Sequence, residues 1–187
     1  MQSFRMCLRR LSEANTHEQR LLKNEPAKIM DYIQFVVHFN VHYKLLVERY
    51  KHLVAIDRPG MNLDISTYQD MIVVQIRAMF IENANLQNNY TGQNLLRILG
   101  EPELAEKIDT FLDSPFNEIY ADLSIRKALK TMADKFICHN DNFDGNKVDF
   151  WGLQQSIESQ LRNPYIKPNL FSIMDTLISI VGQGLNT

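Results

Sequence analysis

A long run without glycine or proline, from Ala27 to Val54, is the feature that most constrains what this chain can fold into. The run is long enough for about eight turns of α-helix. At about 100° per residue, its large side chains fall within about 80° of one another around the axis. These side chains are Tyr32, Phe35, Phe39, Tyr43, Leu46, Tyr50 and Leu53. The pattern predicts a long helix with one face against a core.

Helical periodicity recurs along the rest of the chain, between breaks made by proline, glycine and polar residues. Only seven glycines and six prolines occur, which favours helices over a turn-rich β-sandwich. Further helices are predicted over Ser3–Lys23, Ser66–Asn83, Thr91–Leu99, a short segment opened by Pro102, Pro115–His139, Asp149–Arg162 and Asn169–Gly182. We therefore predict an all-α fold, an antiparallel bundle of three to four long helices with additional short helices, in a single domain spanning residues 1–187.

Charge and cysteine content limit the partners and the compartment. Twenty Lys and Arg stand against 22 Asp and Glu, for a formal net charge of −2, which argues against binding duplex nucleic acid by bulk electrostatics. A small local RNA contact stays compatible with this balance. Cys7 and Cys138 lie far apart, and Arg5, Arg9 and Arg10 interrupt any apolar signal segment, so we expect a cytoplasmic protein. No apolar stretch approaches the roughly 18 residues of a membrane span, so no membrane partner is expected.

The sequence carries no dinucleotide-binding glycine motif, no Walker-type phosphate loop and no nucleophile elbow, so we expect no cofactor. The polar stretch from Asn140 begins like a calcium loop, but Trp151 stands where the bidentate Glu belongs. His38 and His42 have the four-residue spacing of two metal ligands on one helix face. Two ligands do not make a site, so we favour a structural role and expect no metal, with a small-metal protein as a third alternative.

His139 is the strongest single candidate for chemistry. On the predicted Pro115–His139 helix it lies within about 20° of Met132 and about 60° of Phe136, so it ends the inward-facing stripe. A neutral imidazole at that place can act as a general base. Cys138 points about 100° away from it around the helix, so the two do not form a nucleophile–base pair.

The string around His139 resembles a segment of a known superfamily. Residues 133–141 read Ala-Asp-Lys-Phe-Ile-Cys-His-Asn-Asp. They resemble the Arg-Asp-Lys-x-x-Ala-His-x-Asp segment of HEPN-like proteins, a group of helical proteins that includes abortive-infection proteins and toxin ribonucleases. Asp134, Lys135, His139 and Asp141 occupy the matching positions. Ala133 is the departure, because active members carry there an Arg that acts with the His on the scissile phosphate.

The resemblance implies a HEPN-like domain that acts as a metal-independent endoribonuclease of a phage-defence or toxin–antitoxin system. It also implies RNA as the substrate, a homodimer as the assembly, and an antitoxin or another protein as a partner. In this hypothesis His139 is the general base, and Lys135 or Arg77 contacts the phosphate as negative charge develops. Lys135, Asn140 and Asp141 are the predicted RNA-contacting residues.

Ala133 leads to a second hypothesis, because an alanine at this position leaves the implied active site without one guanidinium. The chain is then a non-catalytic helical interaction module of the same fold, which uses its cleft for a partner or a nucleotide. Arg77 has its own alternative, since a charged residue in so apolar a helix also suits an internal ion pair with a carboxylate.

Overall fold

Helices make up nearly all of the structure. The computed structural model of the chain describes residues 26–56, 62–82, 90–116, 122–137 and 150–186. Over these ranges we number seven α-helices: α1 (Pro26–Ile56), α2 (Asn62–Ile76), α3 (Gly92–Ile98), α4 (Pro102–Asp113), α5 (Ile125–Thr131), α6 (Phe150–Arg162) and α7 (Leu170–Asn186). A π-helical turn continues α2 over Arg77–Ile81, and another continues α5 over Met132–Ile137. The prediction of an all-α fold is confirmed.

The long helix α1 carries the predicted apolar face. Four of its large side chains are buried in the core, namely Phe35, Phe39, Leu46 and Leu53. Two tyrosines of the same face reach α7, where the Tyr43 hydroxyl donates to the Ile178 carbonyl at 3.5 Å and the Tyr50 hydroxyl to the Asp175 carboxylate at 2.7 Å. The stripe therefore packs as its spacing predicts and ties α1 to the C-terminal helix.

Helix α2 and its π-helical turn place one apolar face in the core. Their buried apolar side chains are Ile72, Val73, Ile76, Met79, Phe80 and Ile81. The helix begins at Asn62, earlier than the predicted Ser66, and Asp64 in its first turn is favourable beside the positive end of the helix dipole. The predicted helix Ser66–Asn83 is present, but its last turn is π-helical.

The short helices α3 and α4 follow their sequence signals closely. The Thr91 side chain caps α3 by accepting from the Asn94 N–H at 3.3 Å. Gly100 follows α3 with φ of 81°, a left-handed conformation that a glycine adopts without a steric penalty. Pro102 lies in the first turn of α4, where its missing N–H costs no hydrogen bond.

The predicted continuous helix Pro115–His139 is wrong at residues 115–116 and 122–124, because α5 begins only at Ile125. Pro115 and Ser124 instead form an isolated antiparallel bridge. The Phe116 N–H donates to the Leu123 carbonyl at 2.7 Å. The Ser124 side chain then caps α5 by accepting from the Lys127 N–H. Phe116 is thus buried, and Leu123 packs against the core, from non-helical backbone.

The loop between helices α6 and α7 is held by hydrogen bonds from a buried side chain. Gln160, a buried amide of α6, donates to the Phe116 carbonyl at 2.5 Å and to the Pro168 carbonyl at 3.1 Å. Asn169 caps α7 by accepting from the Ser172 N–H at 2.9 Å. The helix runs past Gly182, the predicted end, to Asn186.

The predicted helix Ser3–Lys23 lies outside the described residues. Within the part of the chain that the structure describes, no helix has the length and apolar character needed to cross a membrane.

Candidate functional site

Arg77 and Asp134 bring together the two π-helical turns. The Arg77 Nε atom lies 2.5 Å from Asp134 Oδ1, and Arg77 Nη1 also pairs with the Glu82 carboxylate. Both partners of the first pair are partly buried, with side chains 27% and 28% exposed. Widened helical turns of this kind are frequent at functional sites. The geometry therefore places an arginine of the apolar helix directly on the segment that carries the HEPN-like string.

The two carboxylates fix Arg77 in its charged form. Partial burial alone would lower the pKa of the guanidinium, but the hydrogen bonds and charges of Asp134 and Glu82 outweigh that effect and raise the pKa. The internal ion pair considered for Arg77 from the sequence is therefore present. A guanidinium held by two carboxylates is poorly placed to receive a phosphate, because a ligand would have to displace one of them.

Ala133 faces the core. Its exposed fraction is 0%, and it belongs to the same apolar cluster as Leu129 and Met132. An arginine at this position would bring a charge into hydrocarbon, at a large desolvation cost unless a partner were supplied. The substitution that distinguishes this chain from the resembled segment is therefore also a packing requirement of this fold.

The structure describes only some of the remaining predicted site residues. Lys135 lies in the π-helical turn Met132–Ile137, but the position of its side chain is not described. His139, Asn140 and Asp141 lie outside the described residues. Of the predicted phosphate contacts, Arg77 alone is placed against the string, and the roles of the others stay predictions.

His38 and His42 belong to a ladder of three rings. The His38 ring lies 4.5 Å from that of His42 and stacks on Tyr90 at 4.4 Å with an angle of 24° between the planes. His52, farther along α1, packs instead on Tyr68 at 4.6 Å. In the described ranges, no group of three or more His, Cys, Asp or Glu side chains is placed to hold a metal ion. The ring contacts are what a structural role would require, and that role stays a prediction.

A groove runs between α1 and α2 along this ladder, and we call it the α1–α2 groove. It consists of two cavities of about 530 and 330 Å³ that share His42, Gln75 and Ala78 as lining residues. The larger cavity extends to Arg49 and Asp70, and the smaller one to Glu82 and Tyr90. Cavities of this size suit small ligands or the side chains of a partner.

The buried side-chain amide of Gln75 connects α2 to α1 within the groove. Gln75 is 7% exposed. Its Nε2 donates to the His42 carbonyl at 2.7 Å, and its Oε1 accepts from Arg49 Nη1 at 2.7 Å. The amide thereby holds the Arg49 side chain of α1 against α2. The groove and its Arg49–Gln75 pair are the functional candidates that sequence reasoning missed.

Some lining residues of the α1–α2 groove could have been identified from the sequence, and others could not. Residues 38, 42 and 49 share one face of α1, because steps of four and seven residues bring a helix back to within about 40° of its starting direction. That pattern could have identified the polar side of the groove. Gln75 and Tyr90 had no such signal, because their positions depend on how α2 and the segment before α3 pack against α1.

No protein-family model, curated protein or solved structure matches this chain. The HEPN-like interpretation therefore rests on the string at residues 133–141 alone.

Proposed function

We propose that this chain is a non-catalytic helical binding module whose ligand-contacting surface is the α1–α2 groove. The observation that carries the proposal is the burial of Ala133 in the core, at the position where the resembled ribonucleases need a guanidinium. Arg77, the nearest described arginine to that string, is engaged by Asp134 and Glu82. The groove, in contrast, is concave, open and lined by convergent polar groups over an apolar floor, as binding sites commonly are.

The experiment is an RNA cleavage assay in EDTA with the whole protein, using mixed single-stranded and structured RNA. We expect no cleavage above the buffer control, and the same result for His139→Ala. Cleavage by the natural sequence that disappears in His139→Ala would overturn the proposal, because it would show that the imidazole works without the signature arginine.

A metal-independent endoribonuclease is the second candidate. The observation in its favour is the Arg77–Asp134 pair, which places a guanidinium beside the string that contains His139. In this alternative His139 takes the proton of a 2′-hydroxyl, and Arg77 or Lys135 stabilises the phosphate. Either Arg77→Gln or Lys135→Gln then has to abolish cleavage, whereas Arg97→Gln, which affects a different ion pair, leaves it intact.

RNA, a homodimer and an antitoxin or other protein partner stay predictions of the resemblance. Sedimentation velocity over a concentration range tests the homodimer directly. A monomer at every concentration would remove the assembly that the resemblance implies.

A further inference from the structure

The smaller cavity of the α1–α2 groove, of about 330 Å³, is rich in aromatic rings. Four of its eight lining residues carry a ring, and they are His38, Phe39, His42 and Tyr90. The faces of phenyl and phenol rings carry a partial negative charge, which attracts a cation within about 6 Å of the ring centre. A lining of this composition favours a positively charged ligand over an anion.

Tyr90 is held in place by its neighbours. Its ring stacks on that of His38 at 4.4 Å and lies 5.0 Å from that of Phe35, with the planes tilted by 45°. Tyr90 nevertheless remains 41% exposed, so part of its side chain is open to a ligand. A side chain that is already fixed loses little conformational freedom when a ligand binds, which favours affinity.

Glu82 brings a negative charge to the same cavity. Among the described residues that line it, Glu82 carries the carboxylate and there is no Lys or Arg. The charge partner of Glu82 is Arg77, which also pairs with Asp134, so that two carboxylates share one guanidinium. The Glu82 side chain stays 47% exposed. This cluster therefore keeps a net negative charge, and one of its carboxylates borders the cavity.

The excess of negative charge continues along the groove. Asp70, which lines the larger cavity, shares Arg162 with Glu158. Arg49 adds one positive charge, and it donates to the neutral amide of Gln75. Three arginines thus stand against four carboxylates in and beside the groove, and this balance attracts a cationic ligand.

The available side chains suit an organic cation better than a metal ion. In the part of the chain that the structure describes, no three His, Cys, Asp or Glu side chains come together as metal ligands. A bound metal ion needs such a set of ligands, whereas an alkylammonium ion can be held by one carboxylate and by aromatic rings. A fully methylated ammonium has no N–H groups, so it needs no further hydrogen-bond acceptors.

We propose that the smaller cavity of the α1–α2 groove binds the methylated ammonium head of a small organic cation, with Tyr90 as its ring contact and Glu82 as its counter-charge. This inference rests on the proposed function, because it names the ligand class of the binding module. Glu82 follows the π-helical turn after α2 and Tyr90 precedes α3, so the site forms only when these segments pack on α1.

Nuclear magnetic resonance titration of the whole protein with choline tests the proposal, and 3,3-dimethyl-1-butanol is the control ligand. The two ligands have the same shape, but the control has a neutral carbon atom in place of the charged nitrogen. The titrations are run at pH 8, where free imidazole is neutral. We expect the natural protein to bind choline about tenfold more tightly than the neutral control.

Substitutions in the cavity locate the binding. Glu82→Gln keeps the shape of the side chain and removes its charge, and Tyr90→Leu removes the ring. Each should lower the preference for choline by about threefold or more, whereas Tyr90→Phe keeps a ring and should keep the preference. Ala78→Trp fills the cavity from an exposed position and should abolish binding of both ligands. Glu103→Gln, the same exchange at an exposed glutamate of α4 outside the groove, is the matched control and should bind as the natural protein does.

The outcomes separate this inference from the proposed function. Absence of choline binding, equal binding of the two ligands, or a preference unaffected by either Glu82→Gln or Tyr90→Leu overturns the inference and leaves the binding module in place with another ligand, such as a peptide. RNA cleavage that depends on His139 overturns the proposed function, whatever the groove binds. Circular dichroism of each variant confirms that it is folded before titration.

Discussion

The Arg77 guanidinium and the Asp134 carboxylate join the π-helical turn after α2 to the one after α5. The pair is partly shielded from water, so its loss should cost more than that of a fully exposed ion pair. We expect Asp134→Asn to lower the free energy of unfolding by about 1–2 kcal/mol in urea titrations.

A double-mutant cycle isolates this pair from other effects of the substitutions. Arg77→Gln and Asp134→Asn should show a coupling energy of about 1 kcal/mol. The exposed pair of Lys51 and Glu48 is the matched control, and its coupling should stay within about 0.5 kcal/mol. Equal coupling in the two cycles would contradict the buried character of the Arg77 pair.

Ala133→Arg should destabilise the protein and should not create a ribonuclease. The buried position gives the new guanidinium no described carboxylate in the apolar cluster, and we expect a loss of about 3 kcal/mol or more. Thr110→Arg introduces the same side chain at an exposed position of α4 and should change stability by less than about 0.5 kcal/mol. A stable Ala133→Arg protein that cleaves RNA would argue for the catalytic alternative.

Gly92→Ala and Gly182→Ala should change stability in opposite directions. A Cβ atom on Gly92 would meet the fully buried Phe80 ring, 2.8 Å from Cδ1 and closer still to Cε1, so the ring would have to move. A Cβ atom on Gly182 meets no atom within 4 Å, and alanine is the better helix former by about 1 kcal/mol. We expect a lower melting temperature for Gly92→Ala and an equal or higher one for Gly182→Ala.

The pKa of Tyr43 predicts a loss of stability at alkaline pH. Burial raises this pKa to about 12, and burial with the neighbouring Asp175 carboxylate raises the pKa of Tyr50 as well. Unfolded tyrosine ionises near pH 10, so folding favours the protonated phenol and this contribution is lost as pH rises from about 10 towards 12. Urea titrations from pH 8 to 11 should show a decline above about pH 10 that is smaller in Tyr43→Phe.

Ultraviolet titration gives an independent measurement of the same effect. Absorbance of phenolate should show Tyr43 and Tyr50 ionising at higher pH in the folded protein than in the protein unfolded in urea. Tyr43→Phe should remove amplitude from the folded protein only near pH 12. Loss of amplitude already near pH 10 in Tyr43→Phe would contradict the burial of Tyr43.

Local sequence signals were enough to predict a helix boundary wherever a single residue controls that boundary. Thr91, Gly100 and Pro102 each act through the backbone within a few residues, so the sequence predicts the ends of α3 and the start of α4 correctly. The stripe of α1 was equally readable, because a 3.6-residue period over eight turns has no competing interpretation.

The wrong helix predictions arise where two different backbone conformations can bury the same pattern of apolar residues. Phe116 and Leu123 have spacing that suits a helix, but each reaches the core from non-helical backbone beside the bridge between Pro115 and Ser124. The π-helical turns are also invisible to a search at one fixed period. Asp134 is the residue whose partner the sequence could not name, because only the packing of α2 against the second turn brings Arg77 to it.

The π-helical turn Arg77–Ile81 sets the direction of the buried side chains that follow it. A turn with i→i+5 hydrogen bonds holds one residue more than an α-helical turn closed at the same place. Removal of the exposed Ala78 would leave Ile72 and Ile76 in register, but it would rotate Met79 and Phe80 about the helix axis by about 100°, away from their places in the core.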